Sequence, residues 1–300
     1  GTRTFTAAEF DARARRAATV ITDFGVTKGD GIALYLRNDI AYFEAVFGAG
    51  MLGIYPVPVN WHYTPDEANY LLTDSGVKLL LIHADLYEPV KSAIPAGLPV
   101  VIVETAEDIR AAYGLADTPP PAGLPLWRDL VDAAAPWGGE AGIAPSSIIY
   151  TSGTTGRPKG VKRPAFTEEQ NAAVSTMLGW SYGYTDVLEG RRDPASITTA
   201  VIGPVYHSAP NAHSAFSIRV GANVVICPRF DAEELLALIE KERITHLNMV
   251  PIMFNRLLRL PEEVKRKYDL SSLQFVTHAA APCPPPVKRA MIEWWGPVIW

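Results

Sequence analysis

The residues best suited to do chemistry fall in one short stretch. From Thr151 the chain reads Thr-Ser-Gly-Thr-Thr-Gly-Arg-Pro-Lys-Gly, placing four hydroxyls, three glycines and a lysine within ten residues. A polyphosphate site needs this set. Glycines let backbone N–H groups approach and adopt positive φ, hydroxyls donate to phosphate oxygens, and a lysine supplies a point charge. The stretch is not a Walker A loop, because Gly153 and Gly156 stand too close and Gly160, rather than Ser or Thr, does not complete that pattern after Lys159. A plain surface turn would have no need of Thr154 and Thr155 between two glycines.

Other segments compete for attention. Gly48-Ala-Gly-Met-Leu-Gly53 has the spacing of a dinucleotide loop, but that motif works only when it follows a strand and opens a helix. Here a helical pattern precedes it and an extended one follows, so close packing at a helix end is expected instead. His207 and His213 lack the i, i+4 spacing of a helical zinc pair and have no third ligand nearby, and no metal site is expected. Cys227 and Cys283 lie far apart with no CxxC pair, which fits reduced thiols rather than a disulfide framework.

The elements that must position these residues alternate between helix and strand. Thr6-Ala-Ala-Glu9 and Thr64-Pro-Asp-Glu67 are capping boxes, the second with Pro65 at the first helical position. They open helices ending near Gly25 and Gly76. Gly31–Leu36, Ile54–Val59 and Val77–Ile82 read as strands, the last almost continuously apolar, as strands covered on both faces are. After the Pro-rich stretch at 117–127 and the Gly- and Pro-rich stretch at 135–145, the alternation resumes. Strands are expected at Ser147–Thr151, Ile197–Ile202, Asn223–Cys227, Thr245–Met249 and Leu273–His278, and helices from Thr167, Asp231, Pro251 and Pro284. The class is α/β with a largely parallel sheet. The reading divides it into residues 1–134 and 145–300, whose sheets interleave along the chain.

Composition bounds the function. With 27 Lys+Arg against 32 Asp+Glu the net charge is -5, so no basic field exists to hold a nucleic acid. The longest stretch free of charged residues, Pro194–Ile218, contains Asn211, two histidines and several hydroxyls, and is no membrane span. Arg13, Arg15 and Arg16 interrupt the first apolar stretch, arguing against a signal peptide and for a cytoplasmic protein.

The ten residues Thr151–Gly160 resemble the signature loop of the adenylate-forming superfamily: acyl-CoA synthetases, firefly-type luciferases and nonribosomal peptide adenylation domains. Gly29-Asp30, Gly53–Asn60, Thr64–Glu67 and Met249-Val-Pro251 also sit where that family carries similar residues, so the likeness covers essentially the whole chain. It implies a layered αβαβα arrangement of two mainly parallel sheets, the large N-terminal domain truncated and the mobile C-terminal lid domain absent. It further implies ATP-dependent activation of a fatty or aromatic carboxylic acid to an acyl-adenylate, then thioester formation with coenzyme A.

By the same likeness Thr151, Ser152, Gly153, Thr154, Thr155 and Gly156 grip the phosphates, with Lys159 and Thr155 as catalytic groups. Tyr206 and His207, within Gly203-Pro-Val-Tyr-His-Ser-Ala209, line the acyl pocket with His207 as gate. Ala280, Ala281 and Pro282 hold adenine, although this family often has glycines where the alanines stand. No aspartate occurs between Pro194 and Ile218 to pair with an amino-acid ammonium, so an apolar acid is favoured over a zwitterion. Mg²⁺ and ribose ligands are expected beyond Trp300, and these residues alone are expected to adenylate poorly. The likeness leaves open a homodimer, a ligase that loads a carrier-protein thiol, and a nucleotide-binding pseudoenzyme or scaffold.

Overall fold

The computed structural model of the chain describes residues 3–151 and 157–300. It contains two compact units, Gly1–Asn171 and Ala172–Trp300. The first is built from α1 (Ala7–Asp23), β1 (Gly31–Tyr35), α2 (Ile40–Met51), β2 (Tyr55–Pro58), α3 (Pro65–Asp74) and β3 (Leu79–His83). It continues through α4 (Ala84–Val90), β4 (Val100–Val103), α5 (Glu107–Tyr113), α6 (Trp127–Ala133), β5 (Tyr150–Thr151) and β6 (Lys159–Gly160). Helix α7 (Glu168–Tyr182) begins in the first unit and ends in the second.

Both expected capping boxes form: Thr6 with Glu9 opens α1, and Thr64 with Glu67 opens α3, each side chain accepting from the other's backbone N–H. The sheet is parallel with order β2-β1-β3-β4, and every residue of β1, β2 and β3 is buried, as its continuous apolar run requires. Gly48 is where α1 and α2 meet. A Cβ there would lie 2.8 Å from the Ala18 nitrogen and 2.9 Å from the Ala14 oxygen, so Gly48 serves the close packing of the two helices.

In the first unit α4, β4, α5, α6 and the two-residue β6 have no counterpart in the sequence expectations, nor do α8 (Thr185–Leu188), α9 (Ser208–Arg219) and α12 (Glu262–Lys265) in the second. Strand β4 is only Val-Val-Ile-Val, too short an apolar run to show a period, and Pro99 and the polar segment after it obscure its ends. The expected strand at 147–151 also differs. Only Tyr150 and Thr151 are extended, and they pair antiparallel with Lys159 and Gly160 rather than joining a parallel sheet. The described residues on either side of the loop, 145–151 and 157–171, belong to the first unit, and three hydrogen bonds tie them to it. Ile148 N–H donates to Pro56 O at 2.8 Å, Tyr55 Oη to Arg163 O at 2.9 Å and Lys162 Nζ to Gly29 O at 2.6 Å.

The second unit contains α8 (Thr185–Leu188), β7 (Thr198–Val201), α9 (Ser208–Arg219), β8 (Asn223–Ile226), α10 (Ala232–Glu242) and β9 (His246–Met249). It ends with α11 (Pro251–Leu258), α12 (Glu262–Lys265), β10 (Phe275–His278) and α13 (Pro285–Trp295). Its parallel sheet has the order β10-β9-β7-β8. Counting each sheet's strands from one in chain order, both units read 2-1-3-4, and in both the fourth strand receives a further parallel bridge, Ile102 with Leu126 and Val276 with Ile299.

The two faces of the second sheet differ in chemistry. Ala200, Leu247, Met249 and Val276 point to one side, into a core closed by Leu235, Leu236 and Ile239 of α10, Phe254 and Leu257 of α11, and Met291 and Trp295 of α13. On the other side, Thr199 and His246 meet Tyr184 and the inner face of α9, where Phe216 and Ser217 are buried. Right-handed crossovers impose this split, because β7 to β8 and β8 to β9 run in opposite directions along the sheet.

Candidate functional site

Thr151 and Lys159 are the described ends of the hydroxyl- and glycine-rich loop, and they stand directly opposite each other in the β5–β6 hairpin, both exposed. Ser152, Gly153, Thr154, Thr155 and Gly156 lie outside the described residues. The hairpin's other pair is Tyr150 with Gly160, and a Cβ on Gly160 would fall 2.5 Å from Tyr150 Cε2 and 3.0 Å from Ile148 Cγ2. The tyrosine ring therefore lies over the glycine, an aromatic cover on a bare strand position. Its hydroxyl donates to Asp74 at 2.7 Å, and burial, with that carboxylate, pushes its pKa up. Lys162, just beyond the hairpin, donates to Gly29 O and lies 4.7 Å from the Tyr55 ring centre.

In the second unit, Tyr206 and His207 follow β7, and Ala280, Ala281 and Pro282 follow β10. Both segments thus leave the carboxyl edge of one parallel sheet, with β9 between their strands, a separation of roughly 10 Å at two strand spacings. That edge is where open α/β sheets bind ligands, at the crevice where the strand order reverses. Here the reversal falls between β7 and β9. Tyr206 is buried, and its ring centre is 4.4 Å from that of His207, an exposed residue at the start of α9. Desolvation lowers the pKa of His207. Ala280 has φ 68°, the left-handed region that costs a side chain about 1–2 kcal/mol, so the position is shaped for glycine and occupied by alanine.

Sequence reasoning missed the polar groups beneath this edge. His213, on α9, is 2% exposed, its Nε2 has no hydrogen-bond partner among the described residues, and Tyr182 packs edge-on against it at 4.8 Å. Burial first, and the nearby His246 second, push its pKa down to about 3. His246 itself is held by Thr245 Oγ1 at 2.9 Å and Gly183 O at 3.2 Å, and burial pushes it down to about 4. Asn248 Nδ2 is likewise buried without a partner. No local spacing marks His213, because its burial depends on α9 lying over the sheet.

The equivalent edge of the first sheet is closed by charge. Asp39, 1% exposed, is held by His83 Nε2 at 3.2 Å and Arg3 at 3.0 Å. Burial raises its pKa, and these partners outweigh that and leave it lowered. His83 Nδ1 accepts from Arg37 N–H at 3.0 Å, and Arg37 grips Asp85 through Nε and Nη2 at 3.1 and 2.7 Å while lying 4.1 Å from the Tyr113 ring centre. Among the described residues no group of three His, Cys, Asp or Glu could hold a metal, and no helix is long and apolar enough to cross a membrane.

Two parallel sheets of the same strand order flanked by helices define a doubly wound α/β protein, with Tyr206 and His207 following the first strand of its second sheet. The profile of the AMP-binding enzyme family matches residues 1–300, and the chain belongs to this adenylate-forming family. It is 30% identical over 288 residues to the long-chain-fatty-acid–CoA ligase FadD13 of Mycobacterium tuberculosis, covering 93% of this chain and 50% of that one. It is 29% identical to 4-coumarate–CoA ligase 2 of Oryza sativa subsp. japonica, covering 93% and 48%. A benzoate CoA ligase from Burkholderia xenovorans LB400 has the same fold, with a TM-score of 0.75 at 21% identity over 97% of this chain and 54% of that one. The chain thus spans about half the length of the curated relatives it matches.

Proposed function

We propose that the protein to which this chain contributes is an AMP-forming acid–thiol ligase. It activates a carboxylic acid with ATP to an acyl-adenylate and passes the acyl group to coenzyme A. The observation that carries the reading is the hairpin that sets Thr151 opposite Lys159 at the base of a Ser-Gly-Thr-Thr-Gly-Arg-Pro loop, in a chain of the AMP-binding family. The carboxylate attacks the α-phosphorus and pyrophosphate leaves. The thiolate then attacks the mixed anhydride carbonyl and AMP leaves. The protein's part in the first step is to hold like-charged reactants together and stabilise charge on the departing phosphates.

Thr151 to Gly156 bind the β- and γ-phosphates in this scheme, with Lys159 neutralising pyrophosphate and Thr155 donating to it. Ala280 to Pro282 receive adenine, and Tyr206 and His207 border the acid, with His207 depressed in pKa and so neutral at pH 7. Mg²⁺ accompanies the nucleotide in such chemistry, held largely by the phosphates with one or two carboxylates, which is consistent with the lack of a protein cage among the described residues. Both aliphatic and aromatic acids are activated by the relatives named above, and the charge-free wall from Pro194 to Ile218 suits either.

Acid-dependent exchange of labelled pyrophosphate into ATP by the full-length gene product tests the reading. Lys159→Ala is expected to lower exchange at least 100-fold, the scale of removing one charge-stabilising donor. Unchanged exchange in that variant refutes the role of Lys159, and no exchange with any acid refutes the reading.

A further inference from the structure

The β5–β6 hairpin is too small to stand by itself. It has two residue pairs, Tyr150 with Gly160 and Thr151 with Lys159, and joins neither four-stranded sheet. An isolated two-stranded hairpin is marginal in water, so its neighbours must hold it. Pro56 O and Gly29 O tie Ile148 and Lys162, which lie outside the hairpin on either side. At the hairpin itself the support comes from α3, in the same unit.

Two side chains of α3 reach it, one for each arm. On the entry arm Tyr150 Oη donates to Asp74 Oδ2 at 2.7 Å. On the exit arm the Arg157 guanidinium carbon stands 5.1 Å from the centre of the Tyr70 ring, within the distance at which a cation is attracted to a ring face. Tyr70 and Asp74 are four positions apart and so lie on one face of the helix. The helix is a firm base. The Thr64–Glu67 capping box and Pro65 fix its start, Ala68, Leu71 and Leu72 are buried, and Asn69 Nδ2 donates to Ala93 O at 2.7 Å.

The hold on the exit arm has a consequence for charge. A carboxylate in place of the Tyr70 ring would also grip the guanidinium, but it would cancel the charge it gripped. A ring face attracts the cation through its quadrupole and leaves the charge and the in-plane N–H donors for another partner. Arg157 is two positions from Lys159, so a second cation is kept in place and un-neutralised at the mouth of the loop.

We propose that α3 clamps both arms of the phosphate loop, and that Tyr70 is a positioning residue which presents the Arg157 guanidinium to the outer phosphates of ATP alongside Lys159. This role rests on the reading of the loop from 151 to 159 as the triphosphate site of an acid-activating enzyme. Holding the arms before the ligand arrives removes part of the ordering cost of binding. Two cations rather than one then meet the charge that gathers on pyrophosphate as it leaves.

The ratio of ATP to AMP affinity isolates the outer phosphates, because AMP lacks them, and competition against a fluorescent ATP analogue on the full-length gene product measures it. Tyr70→Leu and Arg157→Ala are each expected to lower the preference for ATP about two- to fivefold, the range of an exposed contact between a cation and a ring. Their double variant should fall no further than the larger single change, since the two side chains act as one unit. Tyr70→Phe keeps the ring face and should restore the parent ratio. Tyr70→Glu holds the guanidinium but neutralises it, and should lower the preference for ATP more than Tyr70→Leu does, an effect that a purely structural role of Tyr70 would not give. The ratio is internal to each variant, so loss of folded protein leaves it unmoved. If Tyr70→Leu does not fold, Arg157→Ala and Tyr70→Glu carry the same comparison.

A ratio unmoved in both Tyr70→Leu and Arg157→Ala overturns the clamp, as do effects that multiply in the double variant or a Tyr70→Glu ratio equal to that of the parent. Acid-dependent pyrophosphate exchange, run on the same proteins, separates this from the wider reading. Exchange that persists beside an unmoved ratio overturns the clamp and leaves acid activation standing. Exchange with no acid overturns acid activation, and the ATP-to-AMP ratio then still decides the clamp.

Discussion

Replacing Gly160 by alanine puts the base of the proposed phosphate loop under a strain whose size follows from the structure. The new Cβ would sit 2.5 Å from Tyr150 Cε2, 2.7 Å from Cζ and 3.0 Å from Ile148 Cγ2. Carbon atoms settle at about 3.5–4.0 Å, so the ring must retreat by about 1 Å. The Tyr150–Asp74 bond, now 2.7 Å, then passes beyond hydrogen-bonding range. Overpacking costs about 1–3 kcal/mol. The lost bond to an exposed carboxylate adds about 1 kcal/mol at most, since solvent screens it. If the total of roughly 2–3 kcal/mol falls on the pairing of Thr151 with Lys159, ATP affinity drops by about 30- to 140-fold, at about 1.4 kcal/mol per decade.

Titration with a fluorescent ATP analogue measures this affinity. Tyr150→Phe, which removes only the hydroxyl, sets the bond's share at fivefold or less. In the double variant Gly160→Ala/Tyr150→Ala the clash has no partner, so affinity should recover relative to Gly160→Ala alone, giving a coupling of at least about 1 kcal/mol between the two sites. Nucleotide affinity within twofold of the parent in Gly160→Ala, or strict additivity in the cycle, would refute the claim that this pair holds the loop's base.

Two further outcomes are expected. His213 and His246 titrate near 3 and 4 in the folded chain and at about 6.5 when unfolded, so protons bind the unfolded state first as pH falls. Their stabilising contribution is complete above about pH 6.5 and shrinks toward pH 4. At pH 5 each costs about 2 kcal/mol relative to pH 7.5, and His213→Gln should remove its share of that loss in urea unfolding; a profile flat from pH 7.5 to 5 refutes it. In the first unit Trp127 Nε1 donates to buried Glu44 at 2.8 Å, and Arg13 holds the same carboxylate from the other side. Trp127→Phe keeps most of the ring and strands one carboxylate oxygen, at a cost of about 1.5–3 kcal/mol, read as a lower urea midpoint with an unchanged slope.

What could be read from the sequence was what acts over short distances along it. The Thr6–Glu9 and Thr64–Glu67 boxes are three-residue devices and form as written. The close helix packing at Gly48 was legible as well, because the order of helix and strand around it is local. The losses lie where a residue's environment is built from far away. Asp39 and His83 are 44 positions apart, and Arg37 and Asp85 are 48 apart, so nothing in the local pattern marks them as a paired, buried cluster. Lys162 is held by the carbonyl of Gly29, 133 positions upstream, which no local pattern shows. His213 failed as a zinc ligand on spacing, but its burial beside His246 depends on α9 lying over β9, which no window of sequence shows.

Strand order does not decide which unit carries the crevice, because both sheets read 2-1-3-4 and both place loops at the reversal point between their first and third strands. The difference lies in what those loops deliver. After β1 and β3 come Arg37, Asn38, Asp39 and, from β3 itself and just beyond, His83 and Asp85, charged groups that neutralise one another out of water. A ligand entering there would have to part a buried pair, which costs about 3–5 kcal/mol before any contact is gained. After β7 and β9 come Gly203-Pro204-Val205-Tyr206-His207 and Val250-Pro251, with no Asp, Glu, Lys or Arg among them. The ligand proposed to enter here would part no ion pair. The same topology thus carries a paired, buried cluster of charge in one unit and an uncharged edge in the other.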